Sequence, residues 1–288
     1  VVIDHAYDAC LRMAREHYEN FPVASRLLPR SSRPHVAAIY AFARIADDFA
    51  DEGDHPPATR LALLDDWRAR LHEAASGRPV TDDGSDAATV FTALSATIAE
   101  HRLDVGLFDD LVSAFRQDVT KTRYESWDEL MDYCRRSANP VGRLVLAVTG
   151  YRDARLDARS DAVCTALQLT NFWQDLAVDW RKGRVYVPAD ILRTAGADER
   201  DLAAERLSPA WRSALGAVTS RTRTLFREGR AVSDGVRGRL KWELRATWLG
   251  GMRILDRLEA VEFDVFTRRP SLGWRDAAAI GRQMLVWR

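Results

Sequence analysis

The stretch Ala37-Ala38-Ile39-Tyr40-Ala41-Phe42-Ala43-Arg44-Ile45-Ala46-Asp47-Asp48-Phe49-Ala50-Asp51 reads as a helix with two unlike faces. At 3.6 residues per turn, Tyr40, Arg44, Asp47 and Asp51 fall on one narrow stripe, and Phe42, Ile45 and Phe49 lie opposite. Outward from this stretch, alanine, leucine and arginine dominate, and apolar residues recur at three- and four-residue spacing. The series Leu61, Leu64, Trp67, Arg68, Leu71 is one example; Leu103 through Phe115 and Leu240 through Val261 are others. Strand-like alternation is scarce. Its one short instance, Arg184-Val185-Tyr186-Val187-Pro188, ends at a proline and reads better as a loop. Breaks fall at Gly53-Asp54-His55-Pro56-Pro57, at Gly77-Arg78-Pro79 through Gly84-Ser85, at Gly150-Tyr151-Arg152-Asp153 and at Gly196-Ala197-Asp198. None is long enough for a flexible linker, and no repeat or low-complexity segment is read. The expectation is one all-α domain over 1–288, its helices packed around a central space.

Composition narrows the partners. Lysine plus arginine and aspartate plus glutamate each number 42, so the formal net charge is zero and points to neither nucleic acid nor an anionic membrane. An anionic ligand must then be held by local charge. Cys10, Cys134 and Cys164 are far apart and form no Cys-x-x-Cys pair, which argues against zinc and a disulfide framework and fits a reducing cytoplasm. No signal-peptide pattern is read in the first residues, which open on Val1 rather than Met. The longest strongly apolar run, Leu144 to Val148, is too short to span a bilayer.

A second segment, Gln168-Leu169-Thr170-Asn171-Phe172-Trp173-Gln174-Asp175-Leu176-Ala177-Val178-Asp179-Trp180, repeats the pattern. Gln168, Asn171, Asp175 and Asp179 form a stripe, with Leu169, Trp173, Leu176 and Trp180 roughly opposite. Either stripe alone has an ordinary reading as a polar face in water. Two features count against it. Solvated faces are usually rich in Lys and Glu, whereas these use Tyr, Arg, Asn, Gln and short Asp, and Asp is a poor mid-helix residue. Mg²⁺ supplies a reason, because it prefers oxygen ligands and binds through a few carboxylates plus phosphate oxygens. Two such helices facing each other would clamp a diphosphate through bridging metals that polarise the leaving group. Arg44, Arg181, Lys182 and Arg184 would neutralise further charge, and an apolar, aromatic lining would tolerate a carbocation.

At these residues the sequence resembles the squalene/phytoene synthase family, the head-to-head prenyl transferases. The first family motif reads here as Tyr40, Arg44, Asp47 and Asp51, and the second as Gln168, Asn171, Asp175 and Asp179. Arg184, Tyr186 and Pro188 match a following Arg-x-Tyr-x-Pro, and Tyr133-Cys134 match a Tyr-Cys pair opening the helix before the second motif. The resemblance runs from about His17 to about Leu258. It implies an isoprenoid synthase fold with a central cavity, and Mg²⁺ held by Asp47, Asp51, Asn171, Asp175 and Asp179. It also implies diphosphate contacts from Tyr40, Arg44, Gln168, Asn171, Arg184 and Tyr186, and a catalytic role for Tyr133. The ordinary reading of Tyr133 is a core aromatic with a satisfied hydroxyl.

Three departures bear on the reaction: His17-Tyr18-Glu19-Asn20-Phe21-Pro22-Val23-Ala24-Ser25 in place of a Ser-rich stretch, Ser137-Ala138-Asn139-Pro140-Val141-Gly142 in place of a small bend, and Gln174 in place of Arg. Together they resemble the hydroxysqualene-forming branch of the family. That branch takes presqualene diphosphate, releases diphosphate, opens the cyclopropane and adds water, with no nicotinamide. Pro140 is expected to kink the helix that carries Tyr133, leaving Asn139 either to hold a water in a catalytic role or only to satisfy the kinked backbone. The alternative enzyme condenses two prenyl diphosphates to presqualene diphosphate, squalene or phytoene. A non-catalytic helical scaffold would be expected to lose the aspartates that both motifs keep. The histidines show no metal-ligand spacing, although His17 and His35 are near enough in sequence to the first motif to sit by the site. The tryptophans, among them Trp242 and Trp248, are expected mainly in the core. So apolar a substrate and product are compatible with transient membrane contact without an anchor.

Overall fold

The computed structural model describes residues 2–16, 27–78, 80–81 and 83–287. These form helices α1 (Val2–Glu16), α2 (Arg33–Asp51), α3 (Pro57–Ala75), α4 (Asp86–His101), α5 (Val105–Asp118), α6 (Trp127–Ser137) and α7 (Asn139–Val148). They continue as α8 (Ala154–Gln174), α9 (Leu176–Arg181), α10 (Ala189–Ala195), α11 (Glu199–Ala203), α12 (Pro209–Gly229), α13 (Gly238–Ala260) and α14 (Trp274–Leu285). The fold is all-α. The residues Arg184 to Pro188 are a loop, with one isolated parallel bridge from Val185 to Arg123. Among the described residues no helix is long and apolar enough to cross a membrane.

The chain divides into two compact units, each assembled from separated segments. The first comprises Val1–Thr120, Pro140–Asp157 and Gly238–Leu240, and the second Lys121–Asn139, Ala158–Arg237 and Lys241–Arg288.

In the first unit, α2 is the buried helix. Pro34 sits in its first turn, where a missing N–H costs nothing, and Ala37, Ala38, Ala41 and Ala46 let neighbouring helices approach closely. Phe42 is fully buried, stacked on Trp67 at 5.8 Å and edge-on to Phe91 and Phe108 at 6.1 and 5.3 Å. The helix entries around it are capped as local chemistry dictates. Ser85 accepts from the Ala88 N–H at 3.1 Å to start α4, and Asp104 accepts from the Gly106 N–H at 2.9 Å to start α5.

In the second unit, α8 packs against α12. Trp173 is fully buried and donates through Nε1 to Thr222 Oγ1 at 2.9 Å. Gly229 closes α12 where a methyl group would lie 2.5 Å from Val163 Cγ2 and 2.7 Å from the Arg159 carbonyl oxygen. On α14, Asp276 is the buried residue, gripped by the Gly273 N–H at 2.8 Å and by Arg253 and Arg257 at 3.1 and 2.5 Å. These donors hold its carboxyl well below the usual range. Tryptophan is not uniformly core: Trp67, Trp173 and Trp211 are buried, whereas Trp242 and Trp274 are exposed.

Three local expectations need correction. Tyr133-Cys134 lie late in α6 rather than at the opening of the helix before the second motif. Pro140 does not kink the helix of Tyr133. That helix ends at Ser137, Ala138 takes φ −116° and ψ −46°, and a new helix starts at Asn139 with Pro140 in its first turn. A first-turn proline loses no intrahelical bond, so starting afresh is cheaper than bending through it. The second motif is not on one helix either: α8 stops at Gln174, Asp175 bends the chain at φ −102° and ψ 10°, and Asp179 belongs to α9.

Gly229→Ala tests the α8–α12 approach. Because the obstructing atoms include backbone, the substitution is expected to cost about 1–3 kcal/mol. It would appear as a lower urea midpoint with an unchanged slope.

Candidate active site

The first motif lies in the first unit. Tyr40, Arg44, Asp47 and Asp51 are all half-buried on α2, as the stripe predicts. Arg44 donates charge to two acids, reaching Asp48 at 2.7 Å and Asp47 at 3.7 Å. Asp48 was not among the expected site residues, although its i, i+4 spacing from Arg44 makes it readable. Burial pushes the Tyr40 hydroxyl pKa up against the opposing pull of Arg44, so the phenol is a neutral donor near pH 7.

The second motif lies in the second unit, at the α8–α9 junction. The backbone carries hydrogen bonding through the bend: the Asp175 N–H reaches the Asn171 carbonyl, and the Asp179 N–H the Asp175 carbonyl, both at 2.8 Å. Asn171 Nδ2 donates to Asp175 Oδ2 at 2.7 Å. The same carboxylate takes a two-pronged guanidinium from Arg269, through Nε to Oδ1 and through Nη2 to Oδ2 at 3.1 Å. Gln174 Nε2 donates to the carbonyl of the next residue, Pro270, at 2.5 Å. Arg269 carries no signal of spacing, since it lies 94 residues beyond Asp175. Gln168, Asp179 and Arg184 are half-buried around this junction, and the Arg184 N–H donates to the Asp179 carbonyl at 2.8 Å.

Beside the second motif is a buried aromatic cluster. Phe172 and Tyr186 stack at 3.7 Å with their planes 6° apart. Tyr133 meets Tyr124, Phe172 and Tyr186 at 5.6, 6.1 and 6.3 Å. Tyr186 is a buried ring of the stack, and Tyr124 is a further member that the motifs did not name. Asn139 is buried and its Oδ1 accepts from Thr165 Oγ1 at 2.8 Å. Its partner is thus a side chain on α8 and not the interrupted backbone. Of the departures noted in the sequence, 17–25 lies outside the described residues. His35 does not join the motif: it precedes Asp47 by twelve residues on α2, about 18 Å along the axis.

Each donor set by itself fits a hard divalent cation. Asp47 and Asp51 in the first unit, and Asn171, Asp175 and Asp179 in the second, offer oxygen on half-buried surfaces, which suits Mg²⁺. Asp175, whose side chain is 18% exposed, is balanced by the Arg269 guanidinium, a positive charge on the atoms that would ligate a cation.

Comparison with known proteins gives the family and its fold. A family model described as squalene/phytoene synthase matches residues 14–276. The chain is 40% identical over 222 residues to hydroxysqualene synthase of Zymomonas mobilis, covering 76% of this chain and 71% of that protein. It is 33% identical over 270 residues to phytoene synthase 3 of Zea mays, covering 92% of this chain and 62% of that longer protein. The crystal structure of squalene synthase HpnC from Alicyclobacillus acidocaldarius matches with a TM-score of 0.83 at 39% identity, over 91% of this chain and 95% of that one.

A cation held by Asp175 would compete with Arg269 for one carboxylate. Arg269→Gln is therefore expected to tighten Mg²⁺ binding in the absence of diphosphate by about two- to fivefold, the worth of a partly exposed ion pair. Calorimetric titration measures it, and an unchanged affinity would mean that the guanidinium does not compete.

Proposed function

Because the chain belongs to the squalene/phytoene synthase family, we propose that it is a hydroxysqualene synthase, converting presqualene diphosphate and water to hydroxysqualene and diphosphate. The observation that carries this reading is the oxygen-donor set of Asn171, Asp175 and Asp179 beside the stacked rings of Phe172, Tyr186, Tyr124 and Tyr133. It pairs the needs of a departing diphosphate with those of the cation left behind. The 40% identity to a bacterial hydroxysqualene synthase supports the choice of reaction.

The residues divide the work. Asp47 and Asp51 in the first unit, and Asn171, Asp175 and Asp179 in the second, would hold Mg²⁺ through oxygen; the metal would supply the polarisation under which the carbon–oxygen bond to the leaving diphosphate ionises. Tyr40, Arg44, Gln168, Arg184 and Tyr186 bind diphosphate oxygens, the arginines in the planar fork that suits phosphate. The faces of Tyr133, Tyr124, Phe172 and Tyr186 stabilise the cyclopropylcarbinyl cation and its allylic rearrangement product, and they exclude bulk water. Thr165 occupies the Asn139 oxygen, which leaves the Asn139 amide hydrogens to orient one water. That water adds to the allylic carbon and its proton leaves to diphosphate or solvent. No nicotinamide is needed, since water and not hydride ends the reaction.

The similarity to plant phytoene synthases gives the second reading, condensation of two prenyl diphosphates head to head. Product analysis separates the two. With presqualene diphosphate, Mg²⁺ and no reductant, the expected product is an alcohol whose oxygen comes from labelled water. Squalene formed only with reduced nicotinamide, and no alcohol without it, would overturn the proposal. Asp47→Asn and Asp175→Asn are each expected to lower turnover at least about a hundredfold with the fold retained. Full activity after chelation would contradict the metal's role. The Tyr133 hydroxyl acts at the departing diphosphate besides the ring's part in the stack; Tyr133→Phe removes that hydroxyl and keeps the ring and its packing, so it is expected to lower turnover while leaving Tm nearly unchanged. A large loss of stability at normal specific activity would make Tyr133 a packing residue.

A further inference from the structure

The first unit holds a second cluster of ligating side chains that the proposed reaction does not use. His35 opens α2, Glu100 and His101 close α4, and one ligand atom from each lies within 4.8 Å of the other two. Glu100 Oε1 is 3.8 Å from His35 Nε2 and 3.9 Å from His101 Nε2. The two imidazoles meet edge to face at 4.4 Å.

We infer that His35, Glu100 and His101 form a binding site for a first-row transition cation such as zinc, separate from the carboxylate motifs. The donor set is the first reason. Two imidazoles and one carboxylate suit a borderline-soft ion and are poor company for Mg²⁺, which prefers oxygen throughout. Distance is the second. Bonds of about 2.0–2.1 Å in tetrahedral geometry set ligand atoms about 3.4 Å apart. The observed spacing closes to that by small side-chain rotations, and Glu100, 62% exposed, is free enough to make them.

The hydrogen bonding around the cluster is the third reason. His35 Nδ1 is 3.1 Å from both Tyr7 Oη and Thr97 Oγ1, which are themselves 3.0 Å apart. In the tautomer where Nδ1–H donates to this pair, Nε2 keeps its lone pair toward Glu100 and His101. Metal-bound histidines are held in the same way. His101 Nε2 is buried with no hydrogen-bond partner. A merely packed histidine pair leaves that nitrogen unexplained, whereas a bound cation satisfies it. Of the arginines near the cluster, Arg152 donates to the carbonyls of His101 and Arg102, and Arg33 donates to the carbonyl of Leu28.

Such an ion would tie the first turn of α2 to the last turn of α4, with α1 contributing Tyr7 to the outer hydrogen bonds. With two histidines and one carboxylate as ligands, its fourth position would take water. Its role is to hold the helix that carries the first aspartate motif.

The test uses the full chain, stripped with chelator and titrated with zinc. One equivalent is expected to bind with a Kd below about 10 μM and to raise Tm, as a ligand of the native state must. Cobalt in its place is expected to give the strong visible absorption of a tetrahedral site. Glu100→Gln and His101→Gln are each expected to weaken binding at least about tenfold, comparable to the loss of a supporting ligand contact. Glu100 is exposed, so its variant keeps the fold, and unchanged helicity checks that. His72→Gln, at a surface histidine 3.0 Å from Asp109, is the control and should bind as the parent does. Absence of binding up to about 100 μM zinc would overturn the inference. So would uptake that survives Glu100→Gln and His101→Gln but falls with Asp47→Asn.

Discussion

Half-buried carboxylates lose hydration and repel one another, and this chain gathers Asp47, Asp48 and Asp51 on one helix and Asp175 and Asp179 around another. Positive charge must accompany them. Without a ligand the protein supplies its own. Arg44 lies between Asp47 and Asp48, and Arg269 grips Asp175 with both prongs. Arg269 pairs with Asp175 in a planar two-pronged fork that a lysine ammonium cannot form. Under the proposed function, a metal ion on these acids would free both guanidiniums for phosphate.

The bend at Asp175 belongs to this constraint. An aspartate inside a helix is unfavourable because its short side chain competes for backbone hydrogen bonds. Ending α8 at Gln174 and beginning α9 at Leu176 removes Asp175 from a helical interior while the N–H to carbonyl bonds on either side survive. Asn171 then reaches the carboxylate from one turn earlier and Arg269 from a later segment. The second motif is a junction shaped around an acid, and the buried Leu169, Trp173 and Leu176 hold that junction in place.

Much of this was legible in the chain. Local periodicity gives α2 with its polar stripe, because Tyr40, Arg44, Asp47 and Asp51 are related by helix geometry alone. The glycine and proline clusters give the breaks after Asp51, Ala75, Val148 and Ala195. Other features depend on residues distant in sequence, and periodicity carries no information about them. Arg269 on Asp175 is such a feature, and so is the Tyr124–Tyr133–Phe172–Tyr186 stack, whose members come from four segments. His35 with Glu100 and His101 is another, since spacing rules look for ligands on one helix and this cluster spans two. The break at Ala138 escapes the sequence for a different reason. The rule that proline kinks a helix interior presupposes a continuous helix, and here the proline marks a new start.

Under the proposed function the aromatic stack would stabilise a carbocation but would have no means of ending its life. Ring faces offer a quadrupole and no nucleophile. A stack alone would hold the ion until it lost a proton, giving an alkene. Forming an alcohol requires a water fixed by polar groups in surroundings that otherwise exclude it. A buried carboxamide meets this need at low cost when one of its ends is already satisfied. Asn139 is in that condition, its oxygen bound by Thr165 and its position fixed by the first turn of α7. Asn139→Ala is therefore expected to raise the share of elimination products and lower that of alcohol, with Mg²⁺ affinity unchanged. A product ratio identical to the parent's would assign the Asn139–Thr165 pair to packing alone.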